Sequence, residues 1–152
     1  MNFTLTRRGD YALRAALHLA EAWGGDGYCK IREVSREMAL PVSYTPQVLG
    51  LLARAEIAEA KAGPGGGYRL RRNPAEVTVL EVVEAAEGPL LSTTCILRGG
   101  PCRWESACAV HPTWAAASEA FRDRLRGTTL ADLAGVDRGL EPALRRPGKT
   151  PV

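Results

Sequence analysis

The sequence lacks any long hydrophobic run, and this absence excludes a membrane-spanning helix. Its uninterrupted apolar stretches are only a few residues long, whereas crossing a bilayer takes about 20 apolar residues. The first eight residues (MNFTLTRR) also lack the apolar segment that follows the charges of a secretory signal. We therefore expect a cytoplasmic protein that makes no use of a membrane.

The sequence also lacks a large charge imbalance and any catalytic motif. Its 152 residues carry 20 Lys and Arg against 17 Asp and Glu, and the excess lies entirely in residues 1–76. A surplus of three is weak evidence for nucleic-acid binding by itself, because a mixed solvated surface gives the same count. No nucleophile–base pair, phosphate loop or carboxylate pair stands in a motif context, so we predict that the protein is not an enzyme.

Apolar residues recur at helical spacing in the first half of the chain. Residues 6–22 predict a first helix capped by Thr6, and residues 31–38 predict a shorter second helix. Pro41 interrupts the pattern before a third helix over residues 43–55, for which we predict Ser43 as N-cap and the inward residues Val48, Leu51, Leu52 and Ala55. A glycine-rich turn and an alternating strand follow at residues 61–70. This order predicts a mainly α fold, a winged helix-turn-helix with a two-stranded wing.

The second half carries further helices around an irregular, cysteine-containing loop. Thr78 and Glu81 form a capping box for a fourth helix, and Thr129 can cap a last short one. A fifth helix begins near Pro112 and carries an apolar stripe of Trp114, Ala117, Phe121 and Leu125. The stripe belongs either to the core or to a dimer contact, and we favour the dimer because four helices already fill so small a core.

These patterns divide the chain into four segments. Residues 1–88 form the predicted DNA-binding domain, and residues 89–111 form the cysteine loop. Residues 112–135 hold the dimerisation helix and the short final helix. Residues 136–152 are rich in proline, glycine and arginine, and we predict a disordered tail there.

The third helix is the candidate for reading DNA bases. A recognition helix enters the major groove with its N-terminal end, so its reading side chains should be polar and early. Gln47 is the strongest candidate because its amide can pair with both N6 and N7 of adenine, although an ordinary exposed glutamine is the alternative. The full set of candidates in this helix is Ser43, Tyr44, Thr45 and Gln47.

The glycine-rich wing is the candidate for contacts with the DNA backbone. Gly65, Gly66 and the following glycine let the main chain approach a phosphate or the minor groove. Lys61 and Arg69 supply positive charge on either side of the turn. Three glycines alone are also typical of a plain hairpin turn, but they follow a helix-turn-helix pattern here.

Three cysteines and a histidine form a candidate metal site. Cys95, Cys102, Cys108 and His111 are separated by six, five and two residues. Thiolates are soft ligands for iron-sulfur clusters, zinc or copper(I), and an irregular loop can wrap them around one centre. The spacing lacks the CxxC pairs of structural zinc fingers, so we favour an iron-sulfur cluster over zinc or inert packing. The remaining cysteine, Cys29, is predicted to be a small buried hydrophobe.

Taken in order, these motifs resemble one family of bacterial regulators. Residues 6–14 (TRRGDYALR), Ser43 and Tyr44 with Gln47, residues 63–70 (GPGGGYRL) and the spaced cysteines with their histidine carry the likeness. They resemble the iron-sulfur winged-helix regulators that include IscR, NsrR and RirA. The resemblance implies a homodimer on double-stranded DNA, in which a cluster held by the three loop cysteines couples redox, nitric-oxide or iron-sulfur status to promoter binding.

The resemblance offers two candidates for the fourth cluster ligand. His111 matches a histidine of the IscR-like 2Fe-2S pattern, whereas Asp10 matches an acidic first-helix residue that reaches a 4Fe-4S cluster across the dimer in the NsrR-like pattern. We prefer His111 and a 2Fe-2S cluster because this residue lies beside the loop. Two other hypotheses stay open: a winged-helix regulator that uses zinc or cysteine oxidation, and an iron-sulfur electron-transfer or carrier protein.

The sequence departs from the family pattern at three places. The first cysteine gap is one residue longer than expected, Ala62 stands where relatives often carry arginine, and Pro46 replaces an acidic residue of IscR-like proteins. The DNA sequence preference of those relatives is therefore not carried over to this chain.

Overall fold

The computed structural model describes residues 4–90, 95, 97, 100–104 and 106–137, and these form a mainly helical fold with one two-stranded sheet. The predicted tail beyond residue 137 lies outside the described residues. The fold confirms the predicted winged helix-turn-helix. In chain order the elements are α1 (Arg7–Glu21), α2 (Ile31–Glu37), α3 (Thr45–Arg54), β1 (Ala58–Lys61), β2 (Gly67–Leu70), a 3-10 helix (Pro74–Glu76), α4 (Val79–Glu87), α5 (His111–Arg126) and α6 (Leu130–Asp137).

Helix α1 lies at the centre of the core. It begins as predicted at Thr6, whose hydroxyl accepts a hydrogen bond from the Gly9 N–H at 3.3 Å. Its buried face is made largely of small side chains, so neighbouring helices approach closely, and α1 contacts α2, α3, α4 and α6. The fully buried residues of this face are Ala12, Ala15 and Ala16.

The turn between α2 and α3 is closed by polar contacts to the main chain. Ala39 adopts a left-handed backbone with φ of 53°, and the Ser35 hydroxyl donates to the Leu40 carbonyl at 2.6 Å. These features redirect the chain at the predicted break before Pro41, so that α3 packs against α1.

Helix α3 begins later and turns a slightly different face inward than the sequence predicted. Ser43 is not its N-cap, because that position belongs to Tyr44, which makes no side-chain capping bond. The buried residues of α3 are Thr45, Val48, Leu49 and Leu52. Leu51 and Ala55 were also predicted to face inward, but Leu51 is half-buried and Ala55 is exposed.

The wing is an antiparallel hairpin that also pairs with the segment before α2. Strand β1 pairs with β2 so that Ala58 lies opposite Leu70. The Cys29 N–H donates to the Tyr68 carbonyl at 2.8 Å, and the Tyr68 N–H donates back to Cys29 at 2.9 Å. Gly67 has φ of 147°, and a side chain there would collide with the Cys29 carbonyl. Cys29 itself is buried, as predicted.

Helices α4 and α6 begin side by side, each with a capping box. The Thr78 hydroxyl accepts from the Glu81 N–H while the Glu81 carboxylate accepts from the Thr78 N–H, and Thr129 and Asp132 repeat the arrangement. Leu130 is fully buried and α6 packs against α1, so the last helix joins the core of the N-terminal segment. Helix α6 extends to residue 137, two residues beyond the predicted boundary.

The ionised Glu81 side chain should stabilise the fold in a pH-dependent way. Burial alone would raise the pKa of Glu81, but hydrogen bonds from Thr78 and from the Arg72 guanidinium outweigh it, and the pKa lies below its ordinary value. Because the pKa of Glu81 is lower in the folded protein than in the unfolded chain, its stabilising effect is complete at pH values above the unfolded pKa of about 4.3. This stabilisation is lost as the pH falls through the folded pKa.

We therefore expect Glu81→Gln to lower the free energy of unfolding most at neutral pH, with the difference from wild type shrinking below about pH 4. Urea denaturation across pH 3 to 7 measures this difference. Glu76→Gln, at an exposed position near the same helix start, serves as the control. A wild-type advantage that grows on acidification would contradict the role given to Glu81.

Candidate nucleic-acid interface and metal site

The N-terminal end of α3 presents some of the predicted base-reading side chains and buries others. Ser43 and Gln47 are exposed, as a base contact requires. Tyr44 is half-buried and its ring packs edge-on against Tyr11 of α1, with 5.8 Å between the ring centres. Tyr44 therefore anchors α3 to α1 and leaves only part of its side chain for DNA.

Thr45 requires a correction. Its side chain is fully buried, and its hydroxyl donates to the Pro41 carbonyl at 2.9 Å. A hydroxyl in this position cannot reach a base edge, so the structure gives Thr45 a structural role at the start of α3. Thr45 is polar and lies near the N-terminal end of α3, as expected of a base-reading residue. The sequence pattern did not show that its hydroxyl would donate to the Pro41 carbonyl.

Two arginines that the sequence analysis missed flank Gln47. A shallow depression of 290 Å³ on the surface of α3 is lined by Gln47, Arg54 and Arg8 of α1, together with Tyr44, Pro46, Gly50 and Leu51. Arg54 follows Gln47 by seven residues, which places both on the same helical face, and this spacing was the available signal. Both arginines are exposed and are candidates for contacts with DNA phosphates beside α3.

The wing carries its two predicted cations in different environments. Arg69 pairs with Glu59 at 2.6 Å, and its guanidinium lies 4.6 Å from the centre of the Tyr28 ring. Hydrogen bonds from Arg69 and Tyr28 lower the pKa of Glu59, so this pair stays ionised and largely neutralises Arg69. Lys61 is exposed with its ammonium 5.6 Å from the same ring. Lys61 is therefore the better phosphate-binding candidate.

The glycines of the wing turn also differ in position. Gly65 is exposed, consistent with a close approach of the main chain to DNA. Gly66 is buried, and a side chain there would collide with the Lys61 carbonyl. The Lys30 ammonium donates to the carbonyls of Gly66 and Pro64 from beneath the turn. The lack of a side chain at Gly66 thus serves the geometry of the turn itself.

The structure brings the predicted cysteine ligands to one place. Cys95, Cys102 and Cys108 line a single cavity of 420 Å³, and the Sγ atom of Cys102 lies 3.7 Å from the Nδ1 atom of His111. Main-chain hydrogen bonds shape the loop, because the Cys108 N–H donates to the Trp104 carbonyl at 2.8 Å and the His111 N–H donates to the Cys108 carbonyl at 3.3 Å. His111 is the first residue of α5, and its contact with Cys102 brings it next to one of the residues that line this cavity.

The donor atoms of the loop do not form a compact three-ligand group. In the part of the chain that the structure describes, no three donor atoms of the loop lie within 4.8 Å of one another. Cys102 and His111, 3.7 Å apart, are close enough to bind one metal centre. Soft thiolate donors with a histidine suit an iron-sulfur cluster as well as a thiophilic ion such as zinc.

The alternative ligand Asp10 lies on a different element. It is in the first turn of α1, and its carboxylate pairs with the Arg14 guanidinium at 2.9 Å. A role in cluster binding would require Asp10 to leave this pair. His111 already contacts a predicted cysteine ligand.

Comparisons with known proteins define the class. The profile of the Rrf2 family, described as iron-dependent transcriptional regulators, matches residues 5–135. The chain is 34% identical over 129 residues to an HTH-type transcriptional regulator named ORF2 from Azotobacter vinelandii, covering 85% of this chain and 77% of that one. It is 30% identical over 146 residues to the HTH-type transcriptional regulator IscR of Sodalis glossinidius, covering 96% and 87%.

A solved structure shows the same fold. CymR, the global cysteine regulator of Bacillus subtilis, superposes with a TM-score of 0.72 at 24% identity, over 89% of this chain and 98% of that one. None of the helices in the described ranges is long and apolar enough to cross a membrane. The molecule is thus a winged-helix, DNA-binding transcriptional regulator, and its matched relatives are regulators of transcription. The chain belongs to the Rrf2 family.

The structural role of Thr45 can be tested directly. We expect Thr45→Ala to lower the free energy of unfolding by about 1 kcal/mol, because it removes the hydrogen bond to Pro41, and Thr45→Ser to restore most of the loss. Urea denaturation measures both. Ser43→Ala should change stability by less than about 0.5 kcal/mol, since Ser43 is exposed and caps nothing. Equal losses for Ser43→Ala and Thr45→Ala would refute the assignment.

Proposed function

We propose that the protein is a cytoplasmic, homodimeric regulator whose operator binding is controlled by an iron-sulfur cluster held by Cys95, Cys102, Cys108 and His111. The observation that carries the proposal is the convergence of three cysteines on one cavity, with His111 in contact with Cys102. When bound, such a cluster supplies a centre that changes charge on redox reaction or breaks down with nitric oxide or loss of iron. The chain supplies the ligands and the connection to DNA.

That connection runs through Glu84 of α4. Its carboxylate accepts the N–H of Leu90, the residue that leads into the cysteine loop, at 3.1 Å. It also faces the Arg122 guanidinium of α5 at 3.6 Å, and the Arg122 side chain is only 14% exposed. Glu84 therefore holds both the start of the loop and the helix that follows it. Because α4 packs on α3, a rearrangement of the loop has a short path to the recognition helix.

Dimer formation is supported by the unusual exposure of α5. This 16-residue helix contains no buried residue, although it carries the apolar stripe identified in the sequence. Phe121 is 47% exposed, and three more exposed apolar side chains lie in the loop before it: Leu97, Trp104 and Val110. Such a helix gains most of its stability from burial of its apolar face, so we assign this face to a second copy of the chain.

A homodimer defines the operator that the protein should bind. Two copies of α3 would meet successive major grooves on one face of the duplex, which predicts a pseudo-palindrome with half-sites about ten base pairs apart or a multiple of that. We assign Gln47 to reading a base edge, and Arg8, Arg54 and Lys61 to contacts with phosphates.

The cluster ligands are tested by anaerobic purification of variants. Cys102→Ala should lose the brown chromophore and most of its iron and sulfide, because the two remaining thiolates are too few to hold a cluster. Mössbauer spectra of the wild type then assign the cluster type. His111→Ala should shift the visible spectrum and speed cluster loss, whereas Asp10→Ala should do neither. Wild-type protein that binds only zinc or no metal would sink the cluster proposal.

The dimer contact is tested by placing a charge on the stripe. Phe121→Arg should produce monomers in sedimentation equilibrium, because it buries an unpaired charge in the contact. Ala116→Arg, on the opposite side of α5, is the matched control and should remain dimeric. A dimeric Phe121→Arg protein would show that the two copies meet elsewhere.

DNA binding should separate base-reading from phosphate-binding side chains. Gln47→Ala should cost about 1–3 kcal/mol on the best operator and leave non-specific binding unchanged. Lys61→Ala should weaken specific and non-specific binding alike and reduce the salt slope by about one. Gel-shift titrations at several salt concentrations measure both, with Arg124→Ala on α5 as the control cation. A Gln47→Ala effect that is identical on random DNA would remove Gln47 from base reading.

A further inference from the structure

A second group of metal-binding side chains lies away from the cysteine loop, beneath the wing. The group consists of His18 on α1, Cys29 in the segment before α2, and Glu33 in the first turn of α2. One donor atom from each residue lies within 4.8 Å of the other two. In the described ranges of the chain, no other set of histidine, cysteine and acidic side chains meets this spacing.

The buried imidazole of His18 is the main reason to consider this group a metal site. His18 is only 8% exposed, yet its Nε2 atom is buried without a hydrogen-bond partner. The nearest acidic atom is Oε1 of Glu33 at 3.7 Å, which is too long for a hydrogen bond. An unsatisfied buried polar atom is costly, and native structures seldom keep one without a reason. A metal ion between these residues would supply the missing partner.

The distance between His18 and Glu33 matches the spacing of two ligands around one tetrahedral ion. With metal–ligand bonds of about 2.1 Å, an imidazole nitrogen and a carboxylate oxygen stand about 3.4 Å apart. The 3.7 Å separation of His18 and Glu33 is close to this value. The other carboxylate oxygen of Glu33 accepts the Lys30 N–H at 3.3 Å, so the side chain is already oriented by the cap of α2.

We propose that His18, Cys29 and Glu33 form a second metal site, which takes a thiophilic divalent ion of the zinc type. A thiolate and a carboxylate balance the two positive charges, and a neutral imidazole adds a nitrogen ligand. Three protein ligands leave one position for water, and Glu33, whose side chain is 44% exposed, opens the site to solvent. The ion can therefore enter and leave without unfolding the core.

Binding would release one proton, from the Cys29 thiol. Burial, together with the neighbouring Glu33 charge, raises the pKa of Cys29, so the thiol keeps its proton when no ion is present. The ion replaces that proton as the sulfur becomes a thiolate, while His18 ligates as a neutral imidazole and Glu33 as a carboxylate. No oxidant or reductant is involved.

The site joins three elements that position the DNA-binding surface. His18 belongs to α1, Glu33 to α2, and Cys29 pairs through its main chain with Tyr68 of β2. Lys30, between Cys29 and α2, bonds to the carbonyls of the wing turn. An ion in this position would hold the wing against the helix-turn-helix, independently of the cysteine loop.

The test uses Co²⁺ as a spectroscopic probe in full-length protein that carries Cys95→Ser, Cys102→Ser and Cys108→Ser. These substitutions remove the loop thiolates, so any thiolate-to-cobalt charge-transfer band must come from Cys29. We expect one equivalent of Co²⁺ to bind with that band and with the visible bands of tetrahedral cobalt, and one equivalent of Zn²⁺ to displace it. Cys29→Ala in the same background should abolish the thiolate band.

Two further variants keep the test decisive if Cys29→Ala is unstable. His18→Gln and Glu33→Gln should each weaken Co²⁺ binding by about tenfold or more, because even the loss of a residue that only supports a ligand costs about 10- to 100-fold in affinity. Glu37→Gln, one helical turn after Glu33, should not weaken it. Zn²⁺ should also slow hydrogen exchange at the Tyr68 amide. Absence of a thiolate band, or unchanged affinity in both ligand variants, would overturn the proposal. Either result would leave the proposed cluster of the cysteine loop unaffected, because the protein tested here lacks Cys95, Cys102 and Cys108.

Discussion

Helix α4 packs against α1, and the rest of the molecule depends on this contact. A side chain at Gly9 would collide with the Glu87 carboxylate, which accepts hydrogen bonds from the N–H and hydroxyl of Thr6 at 3.0 and 2.6 Å. The end of α4 is thereby fixed to the start of α1. The same helix packs on α3 and carries Glu84, so the recognition helix and the cysteine loop are both positioned from it.

In the proposed function, the cysteine loop and the base-reading surface are separate and are joined by packed helices. The loop cysteines lie beyond the end of α4, whereas Gln47 and its flanking arginines lie on α3. Because packed helices shift as units, a small change at the loop can be carried to α3 without unfolding either element. The exposed face of α5, which we propose as the dimer contact, follows the cysteine loop directly.

Local patterns in the sequence predicted most of the fold, because their physical causes are local. The cap at Thr6, the capping box at Thr78 and Glu81 and the glycine-rich turn each depend on residues a few positions apart. The apolar periods located the helices for the same reason. The three cysteines were expected to lie close together because they share one loop, and they line one cavity.

Features that depend on distant contacts were not predictable from these patterns. Thr45 is buried because the Pro41 carbonyl takes its hydroxyl, and Gly66 is buried because the wing turn closes over it. Helix α6 packs against α1, a contact that the spacing of apolar residues in the sequence does not indicate. His18, Cys29 and Glu33 belong to three separate segments, and only the folded chain brings their donor atoms together.

We expect the state of the cysteine loop to set the affinity for an operator. The most direct measurement compares anaerobically purified, cluster-containing protein with the same protein stripped of iron, on one genomic fragment selected by the protein and on random DNA. If the cluster controls operator binding, specific affinity should change by about 5- to 150-fold, the usual range of coupling between sites, while non-specific affinity changes little. Identical specific affinities for the two forms would contradict it and would leave a DNA-binding protein without a sensor.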